Sequence, residues 1–375
     1  MIRFLAKCLC FSGVFVATGT RLFAQDSASV SPLVISGSVD AYYKYDFARI
    51  KGGSGNIPTS FASDNNSVSL GMIDVALKKS TGKASFVGEV AFGPRGQYQS
   101  IPNGDGTDGN TFHVQNLYMT YALSEKFSLT GGYMGTFVGY EVISPAGNFN
   151  YSTSYLFTSG PFQNAGIKAN YAFSDKLGLM VGLFNDWNTY RDFNGVSHFG
   201  AQLFLSPVKG WSAYINVLTG RSAAIPASGD DPGVAGSAVL GSGTIVDLTT
   251  AYQISESFKL GLNAADYSLP ADNGGYSGVA LYPQYAFSAS CALGLRGEYF
   301  KVKDVIADGL TAEGASVAAL TLSANLKSGG LTFIPEVRLD SSSDRVFSKN
   351  NSSFSSGLKD SKRASQFSFA VVYSF

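Results

Sequence analysis

The sequence predicts an all-β protein: a transmembrane, antiparallel, up-and-down β-barrel of about sixteen strands. Three observations carry that prediction. The chain ends in a period-two strand, Ser365–Phe375, with Phe367, Phe369, Val371, Tyr373 and Phe375 on one face and Gln366, Ser368, Ala370, Val372 and Ser374 on the other. Short and long connections alternate along the whole chain, the order that short periplasmic turns and long outside loops impose. Only 14% of the residues are charged while 13% are aromatic, whereas an ordinary soluble domain is about one-quarter charged. No run of about twenty apolar residues is present to form a membrane helix.

The N-terminus reads as an export signal. Arg3 and Lys7 precede an apolar run, Cys8 to Ala17, and Leu22-Phe23-Ala24 leads into Gln25-Asp26. Residues 1–24 are expected to be cleaved, leaving 25–375 as one barrel domain. Cys8 and Cys10 leave with the signal, so Cys291 remains alone and no intramolecular disulfide is expected. The remaining chain has 24 basic and 27 acidic side chains. That balance gives no reason to expect nucleic acid as a partner.

The strands follow in order. In the first, Leu33–Phe47, Ile35, Val39, Ala41, Tyr43, Tyr45 and Phe47 share one face, and Ser36, Ser38, Asp40, Tyr42, Lys44 and Asp46 the other. Seven hairpins come next. Leu70–Lys79 turns into Lys83–Phe92, Phe112–Leu123 into Phe127–Phe137, and Asn164–Phe173 into Leu177–Phe184. Ser197–Leu205 turns into Trp211–Leu218, and Thr244–Gln253 into Phe258–Tyr267. Tyr276–Ala286 turns into Cys291–Phe300, and Ala315–Asn325 into Leu331–Leu339. Each hairpin turn holds Ser, Gly, Lys, Asp or Glu, the residues that favour tight reversals. The longer joins cover roughly 48–68, 93–111, 138–163, 185–196, 219–243, 268–275, 301–314 and 340–364. Ala315–Asn325 has the poorest pattern, because Ala and Ser fill both faces, so fourteen or eighteen strands stay open. Phe127, Phe173, Trp211, Phe258 and Phe287 sit beside short turns, where an interfacial aromatic girdle belongs.

Charges within strands fall mostly on the face opposite the apolar residues. They are Asp40, Lys44, Asp74, Lys78, Glu89, Lys168, Asp247, Arg296, Glu298, Glu336 and Arg338. A Lys or Arg facing lipid at mid-depth costs on the order of 2–4 kcal/mol, so these residues are expected to line a pore. Both signs are present, which predicts weak ion preference and no ring of a single sign. A filter and a set of mutual salt bridges stiffening the wall are equally compatible with this pattern. The segment 138–163 is rich in Tyr, Asn, Ser, Gly and Pro, with Glu141 its sole charge. It could fold into the lumen, cover the rim or contact a neighbouring subunit.

Chemistry-bearing motifs are few. His113 and His198 lie near loop-side strand ends, and Asp192 is close to His198 in sequence, but no hydrolase motif pairs them. Asn103–Asn110 offers clustered oxygen ligands yet lacks the calcium-loop pattern, since Asp108 stands where Gly is needed. Gly82-Lys83 lacks the glycine-rich loop of a phosphate binder. No zinc spacing exists, and no cofactor is expected.

Several stretches resemble the β-barrel porins of the OmpL-like group of bacterial outer membranes. They are Gly37–Phe47, Asn150–Pro161 with the following Phe173-Ser-Asp-Lys176, Leu281–Tyr285, Leu293–Phe300 and Pro335–Arg338. Asn185-Asp-Trp-Asn188 is similar to a tryptophan-bearing loop of the group. The resemblance implies a pore-forming outer-membrane protein and carries no catalytic residue across. The reading is then an outer-membrane porin, not an enzyme, passing small polar solutes by passive diffusion. Expected partners are outer-membrane lipid, the solutes, and the barrel-assembly machinery through the C-terminal strand, with a homo-oligomer compatible. A receptor or adhesion barrel with a plugged lumen and an outer-membrane hydrolase barrel are the alternatives.

Overall fold

Alternation gives each strand one lipid-compatible face, and lateral pairing satisfies its backbone groups only if the sheet closes. The computed structural model describes residues 31–51, 55–95, 112–190, 192, 195–222, 241–270, 273–307 and 310–375. The expected signal, 1–24, and the Asn103–Asn110 turn lie outside these residues.

Among the described residues eighteen strands form, sixteen of them in one closed barrel. The first nine are β1 (Val34–Asp46), β2 (Val68–Thr81), β3 (Ala84–Phe92), β4 (Phe112–Ala122), β5 (Phe127–Gly135), β6 (Gln163–Ser174), β7 (Leu177–Phe184), β8 (His198–Leu205) and β9 (Trp211–Gly220). The rest of the wall is β10 (Gly243–Gln253), β11 (Phe258–Ser268), β12 (Gly275–Ser288), β13 (Cys291–Val302), β16 (Ser316–Ser328), β17 (Leu331–Ser342) and β18 (Arg363–Ser374). The small strands β14 (Val305–Ala307) and β15 (Leu310–Ala312) pair with each other inside the loop between β13 and β16. The weakly patterned Ala315–Asn325 is a full wall strand, because β13 and β17 pair with it on both sides.

Closure is antiparallel between β1 and β18, in register from Ser38↔Ser374 to Asp46↔Gln366. Gly37 and the terminal Phe375 exchange both backbone hydrogen bonds at 3.1 Å, so the last residue seals the seam. Phe369, Tyr373 and Phe375 are exposed on the outer face, while Gln366, Ser368, Ala370 and Val372 are buried inside. Ser374 departs from that pattern and is exposed at the end of the strand.

The outer face carries two aromatic bands. Near the short turns, Tyr171 meets Phe173 at 4.9 Å, Tyr285 meets Phe287 at 5.0 Å and Trp211 meets Tyr252 at 5.8 Å. Toward the loops, Phe47, Phe92, Phe199 and Tyr299 are exposed. Leu248, Leu281, Leu320, Leu322 and Val337 lie exposed between them, as lipid contact requires.

The packed core sits inside the barrel. Val138, Tyr155 and Leu156 of the segment after β5 pack with Leu218, Ile245, Tyr267, Tyr276, Tyr282, Phe300 and Val317 of the wall. Of the three placements open from sequence, the structure takes the lumenal one.

Candidate functional site

The segment 136–162 leaves β5, enters the lumen and returns to β6. It holds a short helix, α1 (Tyr155–Ser159). Nearly uncharged, it still brings backbone N–H and C=O groups into a place of little water, and each needs a partner. The inner wall provides them.

The start of α1 shows how. A helix leaves its first N–H groups without internal partners. Here Glu141 accepts from Ser154 N at 2.7 Å, and Glu298 accepts from Tyr155 N at 3.0 Å and Leu156 N at 2.9 Å. The Ser154 hydroxyl accepts from Phe157 N at 3.0 Å. Carboxylates at this end of a helix also oppose its positive pole. One turn upstream, Glu336 accepts from Tyr151 N at 2.8 Å and Ser152 N at 3.1 Å, and from Ser323 Oγ at 2.7 Å.

The arginines hold the carbonyls. Arg296 donates to Ser152 O at 2.5 Å, Thr153 O at 3.2 Å and Glu141 Oε1 at 2.7 Å. Arg338 donates to Thr153 O at 2.8 Å and makes a two-pronged pair with Asp340 at 2.8 and 3.0 Å. Its guanidinium lies 5.1 Å from the Tyr155 ring centre, and the Tyr155 hydroxyl donates to Asp340 at 2.7 Å. Both arginines are 0% exposed. The three acids thus cap amides, and the two arginines cap carbonyls.

Glycines on the inner wall make room for the segment's rings. A Cβ at Gly294 would strike the Phe149 ring, and one at Gly261 the Tyr140 ring. Tyr140 then stacks on Tyr282 at 4.4 Å. Burial, with Glu141 adjacent, lifts the Tyr140 phenol to about 12. Burial and the Asp340 carboxylate lift Tyr155 higher still. Both hydroxyls therefore stay protonated at physiological pH.

The other predicted residues divide in two. Asp40 accepts from Tyr151 Oη at 2.5 Å and from Met72 N at 2.9 Å, at a bulge where it opposes both Gly71 and Met72. Its carboxylate occupies the space a Gly71 Cβ would need. Asp74 accepts from Ser38 N at 2.6 Å, and Lys44 donates to Ser63 O at 2.6 Å. Asp247 accepts from Gly139 N at 3.0 Å and Asn216 Nδ2 at 2.7 Å. With Arg296, Glu298, Glu336 and Arg338, these are all buried. Lys78, Glu89 and Lys168 are only half-buried, Glu89 accepting from Asn116 at 2.7 Å. Two of the eleven pair with acids outside the set, Arg296 with Glu141 and Arg338 with Asp340.

Sequence reasoning missed two members. Asp340 was expected in a loop, yet β17 runs on to Ser342 and keeps it on the inward face. Arg95, just past β3, donates to Ile143 O at 2.7 Å and lies over Phe61 and Tyr151 at 4.8 and 5.0 Å. The signal for Asp340 was its period-two spacing from Glu336 and Arg338; for Arg95 there was none.

His198 lies 3.0 Å from Ser197 Oγ and 3.7 Å from Asp186, and Ser197 Oγ donates to Asp192 at 3.4 Å. Its second ring nitrogen is bonded to Gly241 O at 2.7 Å. Both nitrogens are engaged in a buried ring, so the cluster joins the loop after β7 to the residues before β10. His113 is buried against Gln115, which contacts Gln163.

Comparison with known proteins follows this geometry. The family model described as "Putative beta-barrel porin-2, OmpL-like" matches residues 32–375. Among solved structures, OmpF of Salmonella typhi in complex with daunomycin is 13% identical, covers 92% of this chain and 97% of its own, and gives a TM-score of 0.56. A trimer form of in-vitro folded OmpT, an outer membrane protein of Vibrio cholerae, is 12% identical, covers 92% and 99%, and gives 0.54. A mutant of the Rh. blastica porin is 15% identical, covers 92% and 100%, and gives 0.51. At such identities the likeness is one of fold. No curated protein matches the chain.

Proposed function

The chain belongs to the OmpL-like beta-barrel porin-2 family, an outer-membrane family, and from that premise we propose that it is a passive diffusion porin for small polar solutes. Its lumen is narrowed, not closed, by segment 136–162. The observation that carries this reading is the division of the inner wall: Arg296, Glu298, Glu336 and Arg338 lie buried under the segment, while Lys78, Glu89 and Lys168 on β2, β3 and β6 stay half-buried. Asn116, Thr120, Asn170 and Gln202 continue that partly open polar strip. A solute would pass along it, losing part of its hydration to side-chain donors and acceptors. Asp40, Asp247, Arg296, Glu298, Glu336 and Arg338 anchor the constriction instead of meeting the solute, while Lys44 and Asp74 are engaged by Ser63 and Ser38.

In this reading the protein performs no catalysis, and the His198 cluster fastens loops. Residues 1–24 direct export, and the aromatic C-terminal strand is what the barrel-assembly machinery reads. A homo-oligomer is part of the proposal, in line with the trimer form of a similar structure. Refolded protein in a planar lipid bilayer tests it. Stepwise openings are expected. A silent bilayer, with protein shown to be folded by its heat-modifiable gel migration, would instead favour the plugged receptor barrel, a reading that the dense anchoring of 149–156 also suits.

A further inference from the structure

We infer that the open strip selects for anions, so that the solutes are small carboxylates, phosphates or similar oxyanions; this rests on the porin reading above. The inward-facing strand charges divide by sign. Acids are used up by the constriction and its surroundings: Asp40, Asp74, Asp247, Glu298, Glu336 and Asp340 all accept from N–H or O–H groups and are buried. Among the described residues, Glu89 is the sole inward strand acid that stays partly open, and Asn116 already donates to it.

The bases sort the other way. Arg296 and Arg338 are buried on carbonyls. Lys78 and Lys168 are half-buried. Lys259 follows Gly261 and Asn263 in alternation on the inner face of β11, and Lys327 follows Ser323 and Asn325 on β16; Lys259 is half-buried and Lys327 exposed. Lysines therefore outnumber acids on the part of the inner wall that stays open, and with Lys78 set against Glu89 the excess is Lys168, Lys259 and Lys327. The covered acids also exert a field, but the buried Arg296 and Arg338, paired with Glu141 and Asp340, offset part of it. A permeating ion meets lysine ammonium groups directly, and these are strongly hydrated point charges suited to transient contact with oxyanions.

The test is the reversal potential of refolded protein in a planar bilayer under a potassium chloride gradient. A potential on the chloride side is expected. The double variant Lys168→Glu and Lys259→Glu should move it toward the potassium side. Openings with a potassium-side potential in the unaltered protein would overturn the inference and leave the porin reading intact. A folded double variant with an unchanged potential would do the same. Absence of openings would remove both. Should the double variant fail to fold, the unaltered protein together with Lys327→Gln, at an exposed position, decides: the latter should lessen the chloride preference, and no change there would count against the lysines.

Discussion

Two halves of one inner wall, built by the same alternation, end in different states. On β13 and β17 the inward charges Arg296, Glu298, Glu336 and Arg338 are dry and bonded to the backbone of segment 136–162, as Glu298 is to Tyr155 and Leu156. From β2 to β9, Lys78, Glu89 and Lys168 remain half-buried. An inward charge on a barrel strand is thus not a filter residue by virtue of its parity. What lies opposite decides whether it holds structure or meets solute.

The largest test of that contrast removes the covering. Replacing residues 138–161 by a short Gly/Ser linker should raise single-channel conductance severalfold and expose Arg296 and Arg338 to the lumen. Equal conductance would mean that the segment does not limit flow. Next in size is Arg296→Ala. It strips a buried pair of one partner, leaving Glu141 without its countercharge and Ser152 O without its donor, which costs about 3–5 kcal/mol. The temperature at which the folded band is lost on gels should fall clearly, and channel noise should rise. Gly294→Leu acts by crowding: the added side chain meets Phe149, and overpacking of this kind costs about 1–3 kcal/mol. The smallest effect on stability is expected on the open side. Lys168→Gln should stay within about 0.5 kcal/mol of the unaltered protein, while permeation changes. A large loss of stability there would erase the distinction between the halves.

Legibility differed between the two halves of the problem. The seam of β1 and β18 was readable because Phe367 to Phe375 alternate without a break, and the hairpins because their turns are local chemistry. The route of segment 138–163 was not. Its composition suits a lumen, a rim or an interface, and nothing within it names the wall it binds. Asp340 was hidden by an estimate of where β17 ends, although its parity with Arg338 was visible. Proline lacks the N–H that a ladder needs, and Pro335 and Pro283 sit where the β16–β17 and β12–β13 ladders lapse.

The sequence by itself determined the barrel, its alternation of short turns and long loops and the inward direction of its charges, while closure at sixteen strands came from the pairing of the whole wall. Period-two alternation and turn chemistry act over a few residues and need no distant partner. Only the tertiary structure decided which of those charges are covered. Glu336 and Tyr151 are 185 residues apart, and Arg296 and Glu141 are 155 apart. Such pairs exist because a polar backbone driven into a dry lumen must find its donors and acceptors on whichever wall it reaches.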